Sequence, residues 1–224
     1  MKELVFFLEE PSAREMMKGV LSRLLPDDIA IRYVVFEGKQ DLHKRLGKRL
    51  KGWMNQDARF VVLRDQDRGD CIETKRQLSA ISRDVGKDDV LIRIACHELE
   101  SWYLGDLDAV EKGLGIGGIA KNQDRKKYRD PDRLTNPSQE LNRLTKQAYQ
   151  KISGSRNIGP HLSLKDNCSH SFMVFISGIC RLIQEAWKIP TRRSRNQKGC
   201  SKCVWLGPRE ASPQKLHPSE RSLP

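Results

Sequence analysis

Arg59-Phe60-Val61-Val62-Leu63-Arg64-Asp65-Gln66-Asp67 is the stretch on which the fold turns. An apolar run too short for a buried helix stops abruptly at two acids spaced one residue apart. It reads as a buried strand whose carboxyl end carries chemistry. Working outward, three more runs have the same look. Leu4 to Leu8 ends at Glu9-Glu10, Ile29 to Phe36 is a second strand, and Val90 to Cys96 is followed by His97-Glu98-Leu99-Glu100. Between them lie helical periodicities. Ala13, Met16, Met17, Val20, Leu21, Leu24 and Leu25 share one face over residues 12–25, with Ser12 as a candidate cap and Pro26 just beyond. Leu42, Leu46, Leu50 and Met54 do the same over 40–54, and 70–83 also reads as helix. Strand and helix thus alternate through the first 110 residues. That alternation predicts a parallel, doubly wound α/β sheet of roughly four strands flanked by helices.

Beyond residue 110 the strand pattern stops. Residues 121–133 are polar and charged. Residues 138–152 read as a helix, and 171–187 as a long amphipathic one carrying Phe172, Phe175, Ile176, Ile179, Leu182, Ile183 and Trp187. After Pro190 the composition turns to Arg, Ser, Lys, Pro and Gly. The expected organisation is an α/β core over 1–110, a helical extension packed on it over 111–189, and a basic, disordered tail over 190–224.

The chain has 224 residues, of which 38% are apolar and 31% charged, and a net charge of +12. The tail holds eight Lys/Arg against two Asp/Glu, and the rest 33 against 27. A basic balance of this kind favours phosphate-bearing partners, nucleic acid above all. No apolar run reaches membrane-spanning length, and the first ten residues meet acids too soon for a signal peptide, so cytoplasm and no membrane contact are expected. Six cysteines at 71, 96, 168, 180, 200 and 203 are scattered and read as reduced thiols. Cys200-x-x-Cys203 lacks the second pair that zinc needs. Gly113-x-Gly115-x-Gly117-Gly118 follows no expected strand, so it reads as a connection, not a dinucleotide loop.

The acids carry the functional reading. In an open α/β sheet, ligands bind outside the carboxyl ends of the strands. Glu9 and Glu10, Asp65 and Asp67, and Glu98 and Glu100 all fall there. Converging carboxylates repel one another and persist together when a cation neutralises them or they share protons. An all-oxygen set suits Mg²⁺ or Mn²⁺. Strand alternation is expected to put the Asp65 and Asp67 carboxylates on one side. Lys121, Arg125, Lys126 and Lys127, with Arg156, form candidate phosphate-backbone contacts, and Ser169-His170-Ser171 is a weaker one. His97 is a helix-start residue beside the acids. Trp102 and Tyr103 read as core.

An acid after the first strand and D-x-D after a later one resembles the Toprim pattern. Phe7-Leu8-Glu9-Glu10-Pro11-Ser12-Ala13 looks like its glutamate segment, and Val61 to Asp67 like its D-x-D strand. More closely, the chain resembles a Toprim-like group, domain-of-unknown-function family 4276, through Leu8 to Ala13, Leu63 to Asp67, Arg93 to Asp106 and Asn167 to Phe172. The resemblance covers roughly residues 3–185. It implies an OLD-nuclease-like fold in which Glu10 is the general acid/base, Asp65 and Asp67 hold the metal, and Glu98 or Glu100 supplies a further acid. Glu9 is the alternative to Glu10. The chain departs from the pattern in having Pro11 in place of the usual glycine and Arg14 in place of the downstream aspartate. What the resemblance implies is a Mg²⁺- or Mn²⁺-dependent nuclease acting on DNA or RNA. It would work with an ABC/AAA-type ATPase in phage defence. No Gly-x-x-x-x-Gly-Lys-Ser/Thr loop occurs here, so that ATPase is expected to be a separate chain. The alternative is a non-catalytic subunit that binds nucleic acid or the ATPase. A homodimer is allowed by either.

Overall fold

The computed structural model describes residues 1–188. Its elements run β1 (Glu3–Leu8), α1 (Pro11–Leu24), β2 (Ala30–Val35), α2 (Lys39–Lys51), β3 (Ala58–Asp65), α3 (Cys71–Arg83) and β4 (Leu91–Ala95). Then come α4 (Glu100–Leu104), α5 (Leu107–Leu114), α6 (Lys126–Arg129), α7 (Pro137–Leu144), α8 (Lys151–Ile158) and α9 (His170–Trp187). The four strands form one sheet in the order β2-β1-β3-β4, every neighbouring pair parallel. This is the α/β architecture with a helical C-terminal part that the alternating pattern predicts. The tail expected to be disordered lies outside the described residues, as do Cys200 and Cys203.

The strand order fixes where a ligand site can form. The chain leaves β1 toward β2 on one side and returns past it to β3 and β4 on the other. Right-handed crossovers then put α1 on one face and α2 and α3 on the opposite face. The side chains obey this. Leu4, Phe6, Leu8, Val61 and Leu63 join α1 and the C-terminal helices in one core. Val5, Phe7, Phe60 and Val62 join Leu42, Leu46, Leu50 and Leu78 in another. All six residues of β1 are buried, as befits a strand covered on both faces. The direction of winding reverses between β1 and β3, the crevice where open α/β sheets take ligands. The register sets Leu8 beside Leu63, and β3 runs two residues further, so that Asp65 pairs with Ala95. Glu9, Glu10 and Asp65 therefore surround the reversal point.

The C-terminal helices share the first core. α9 buries Phe172, Phe175, Ile176, Ile179 and Ile183, spaced for a single helical face. Trp102 packs its ring against Phe172 and Phe175 and donates its indole N–H to Ser171 Oγ at 2.8 Å. α1 meets α8 and the turn at Gly159–His161 at very close range. A Cβ on Gly19 would overlap the backbone of Pro160, and one on Gly159 would overlap the Met16 carbonyl. Only glycine permits that approach, and it carries the start of α8 toward the strand ends.

Two local expectations differ from the structure. α1 begins at Pro11 with Glu10 in the capping position, so Ser12 lies inside the helix rather than before it. Proline suits that first helical position because its missing N–H would have no helical partner there. The helix expected over 138–152 is interrupted. Lys146 and Gln147 take φ of 51° and 68°, and the Thr145 hydroxyl donates to Leu141 O at 2.9 Å. The chain reverses there and restarts as α8. No helix among the described residues is long and apolar enough to cross a membrane.

Candidate active site

Glu10 caps α1 in an extended conformation, and its carboxylate makes no capping bond of its own. It faces sideways instead. Its Oε1 accepts from the Ser12 hydroxyl at 2.5 Å, and its Oε2 lies 2.5 Å from Lys151 Nζ. The same ammonium acts on Asp65 and Glu100. Asp65, the last residue of β3, is crowded by protein, and burial together with the charges of Glu10, Glu100 and Glu9 pushes its carboxyl well above the usual range. Glu100 is 0% exposed. Burial raises its pKa too, against the opposing pull of Lys151 and a hydrogen bond from Tyr149. That hydroxyl donates to Glu100 Oε1 at 2.9 Å, while Glu100 Oε2 is buried and makes no hydrogen bond. Burial pulls the Lys151 pKa down. Its bond to Glu10 and the charges of Glu10, Glu100 and Asp65 outweigh that pull and leave it raised.

A second ring supports these groups. Tyr103 donates its hydroxyl to Ser155 Oγ at 2.8 Å, and Ser155 donates to Lys151 O within α8 at 2.5 Å. Tyr103 is fully buried, as the sequence suggests, yet its hydroxyl serves this polar ring. Lys151 and Tyr149 carry no mark of the site in the sequence. They fall at the end of the stretch expected as one helix over 138–152, and the close α1–α8 contact brings them to the strand ends.

The remaining acids divide differently from expectation. The strand ends at Asp65, so alternation does not extend to Asp67. Asp67 has φ of 56°, and its backbone N–H donates to His97 O at 2.7 Å. Its carboxylate turns to Lys39 Nζ at 2.9 Å and Arg64 Nη2 at 3.8 Å. Glu9 leans the same way. Its Oε2 accepts from Asp65 N at 3.2 Å and lies 3.6 Å from Arg64 Nε. Burial and the charge of Asp67 raise its pKa. Glu98 stands apart from both groups, because its Oε2 accepts from Ser138 N at 2.8 Å and so caps α7. Glu100, not Glu98, faces Asp65.

The basic candidates are spread out. Arg156 donates to Glu15 Oε2 at 3.0 Å, and Arg14 and Lys18 also hold Glu15. With those three around it the Glu15 carboxyl is 2% exposed and held down at about 2. Lys127 pairs with Glu140 at 2.7 Å, while Lys121, Arg125 and Lys126 are exposed. Ser169 and Ser171 are taken up by Asp132, which accepts from the Ser169 hydroxyl and from Ser171 N, both at 2.7 Å.

The donor chemistry fits a hard divalent cation. Three carboxylates from separate elements crowd one crevice, two have raised pKa values, and one buried oxygen has no donor. Their present placement is looser. Among the described residues, no three His, Cys, Asp or Glu side chains close on one point tightly enough to hold an ion. Lys151 supplies the positive charge in this arrangement.

Residues 8–179 match a family model described as a domain of unknown function (DUF4276). Among solved structures, the chain is similar to the C-terminal region of the Burkholderia pseudomallei OLD protein. The TM-score is 0.50 at 14% identity, over 82% of this chain and 97% of that one. At that identity the likeness is one of fold. No curated protein matches the chain.

Proposed function

The chain belongs to the DUF4276 family, and from that membership and the arrangement of its acids we propose that it is a Toprim-type nuclease that hydrolyses phosphodiester bonds of DNA or RNA. The observation that carries the reading is that Glu10, Asp65 and Glu100 act on one another's charge near the point where the sheet reverses, with Lys151 acting on all three. Three acids crowded together are destabilising, and a fold keeps such a group where function demands it. Mg²⁺ or Mn²⁺ is the fitting cofactor, with Glu10, Asp65 and Glu100 as the residues that would hold it. A bound divalent ion would polarise the phosphoryl group and lower the pKa of the attacking water. Lys151 offsets one negative charge and eases the approach of a phosphate that bare acids would repel. Glu10, more exposed than Glu100, would accept a proton. Tyr149 fixes one oxygen of Glu100 and leaves the other free.

The fold neighbour is one region of a longer protein. We extend the proposal to a separate ABC/AAA-type ATPase that works with this chain, and to phage defence as the setting. The test is cleavage of plasmid, linear DNA and total RNA by the purified chain with Mg²⁺, Mn²⁺ or chelator. Metal-dependent cleavage that disappears in Asp65→Ala and Glu10→Ala is the expected result. Cleavage that survives both substitutions would sink the site.

A second reading has an observation of its own. Lys151 is bonded to Glu10, and the acids do not close on one point. A binding subunit would keep its acids neutralised in just this way. Metal-dependent turnover separates the two readings, and calorimetry that shows no uptake of Mg²⁺ or Mn²⁺ would remove the catalytic one.

A further inference from the structure

Beside the acidic crevice, on the α2 face of the sheet, is a cavity of about 540 Å³ lined by Lys39, Gln40, His43, Lys44 and Arg64. No acid lines it. The four α2 residues fall at positions i, i+1, i+4 and i+5, one face of the helix's first turns. α2 has 13 residues and no side chain caps its N-terminus. Its capping residue, Gly38, has φ of 97°, a conformation that side chains other than glycine's rarely adopt. The first amides of α2 are thus free to meet an anion, and the helix dipole favours one.

A second, independent feature makes this a built site. The Arg64 side chain is 9% exposed and lines the cavity; its Nε makes no hydrogen bond and lies 3.6 Å from Glu9 Oε2. Arg64 Nη1 lies 3.0 Å from His43 Nε2. A guanidinium only donates, so Nε2 must accept. His43 is then neutral, with its remaining proton on Nδ1. Glu9 and Asp67 pair with Arg64 and Lys39, and neither acid lines the cavity. A buried guanidinium, two exposed lysines and an uncapped helix start make a cradle for a tetrahedral dianion or a phosphodiester.

We propose that this cavity binds a backbone phosphate of a single nucleic-acid strand, next to the phosphate presented to Glu10, Asp65 and Glu100. The inference rests on the nucleic-acid reading above and adds where the strand lies, across the α2 side of the crevice. It assigns binding to residues outside the Lys121–Lys127 cluster.

The experiment uses the full chain in chelator, so that metal plays no part. An oligothymidylate of roughly eight residues, its uncharged methylphosphonate analogue and inorganic phosphate are titrated while the Lys39 and Gln40 amides and the His43 ring are followed by NMR. The expected result is a saturable shift with the oligonucleotide, a weaker one with phosphate, and none with the analogue. Lys44→Gln should weaken oligonucleotide binding several-fold and reduce the slope of log K against log salt by roughly 0.7. No shift at His43 overturns the site. Phosphate binding as tightly as the oligonucleotide overturns the backbone assignment in favour of a free-anion site. The two proposals fail separately. A shift without metal-dependent cleavage leaves the cavity standing and removes the nuclease. Cleavage whose KM is indifferent to Lys44→Gln does the reverse.

Discussion

Asp65 and Asp67 are two residues apart and belong to opposite electrostatic worlds. Asp65 shares a crowded crevice with Glu10 and Glu100, where one lysine faces three acids. Asp67 is over a third exposed and held by Lys39 and Arg64, beside a cavity rich in cations. Charge excess of opposite sign on the two sides of one switch point suits a polyanion that must both bind and react. The cationic side would hold the strand, and the acidic side would carry the metal. The sharpest way to break this division is to neutralise each aspartate in turn and measure Mn²⁺-dependent turnover. Asp65→Asn should cost about 10²–10³-fold, the loss of one preorganised charge in a reacting site. Asp67→Asn should cost less than about tenfold, because a half-exposed ion pair contributes roughly 0–1 kcal/mol. Equal losses would mean that both acids serve one centre.

The next test acts on the acidic side alone. Gly19→Val puts methyl groups where α1 meets Pro160, so the α8 contact must open. Overpacking of this kind costs about 1–3 kcal/mol, read from the urea midpoint. It should displace Lys151 and weaken turnover while the His43 shift with oligonucleotide survives. Loss of both would show that the two sides move as one body.

The division also explains how much the sequence discloses. The strands are legible chiefly because β1 and β3 are covered on both faces and are apolar over Leu4–Leu8 and Phe60–Leu63. Glu10, Asp65 and Glu100 are legible because strand ends are where open sheets bind ligands. The placement of Asp67, off the strand and turned from Asp65, is not legible because a left-handed φ at a non-glycine residue has no reliable mark in sequence. Glu98 and Glu100 are inseparable in sequence, and only the hydrogen bond to Ser138 tells which one is spent on α7. Lys151 and Tyr149 are illegible for another reason. They reach Glu10 and Glu100 through tertiary packing across long stretches of chain, and nothing local requires it. His43 and Arg64 read individually as ordinary surface and strand residues, and their pairing is likewise a product of the fold.

A smaller effect is expected from Lys151→Met. The lysine is half exposed, so water screens part of its interaction, and its loss should cost about 1–2 kcal/mol at neutral pH instead of the several expected for a buried pair. The informative measurement is the thermal midpoint with and without Mn²⁺. If the acids can gather a cation once the lysine is gone, Mn²⁺ should raise the midpoint of Lys151→Met more than that of the wild type. An equal rise in both would mean that the lysine does not compete for the metal's place.

The smallest effect is a trend with pH, and its sign distinguishes the two kinds of acid in this fold. Asp65, Glu100 and Glu9 have pKa values raised by burial and by neighbouring carboxylates. Such groups favour folding while protonated. Their contribution is fully present below the unfolded value, about 4, and is lost as pH climbs through the folded value. Glu15 behaves oppositely. Lys18, Arg156 and Arg14 hold it at about 2, so its stabilisation is present above the unfolded value and lost as pH falls toward 2. Asp65→Asn removes one member of the first kind only. Its thermal midpoint should match the wild type near pH 4 and exceed it increasingly toward pH 8, by a few °C at roughly 2–4 °C per kcal/mol. The substitution that costs the most activity should therefore be the one that stabilises the fold. A midpoint that drops at pH 8 would show that the Asp65 carboxylate is net stabilised by Lys151, and the acidic side would then be an ion-paired scaffold rather than a site strained for catalysis.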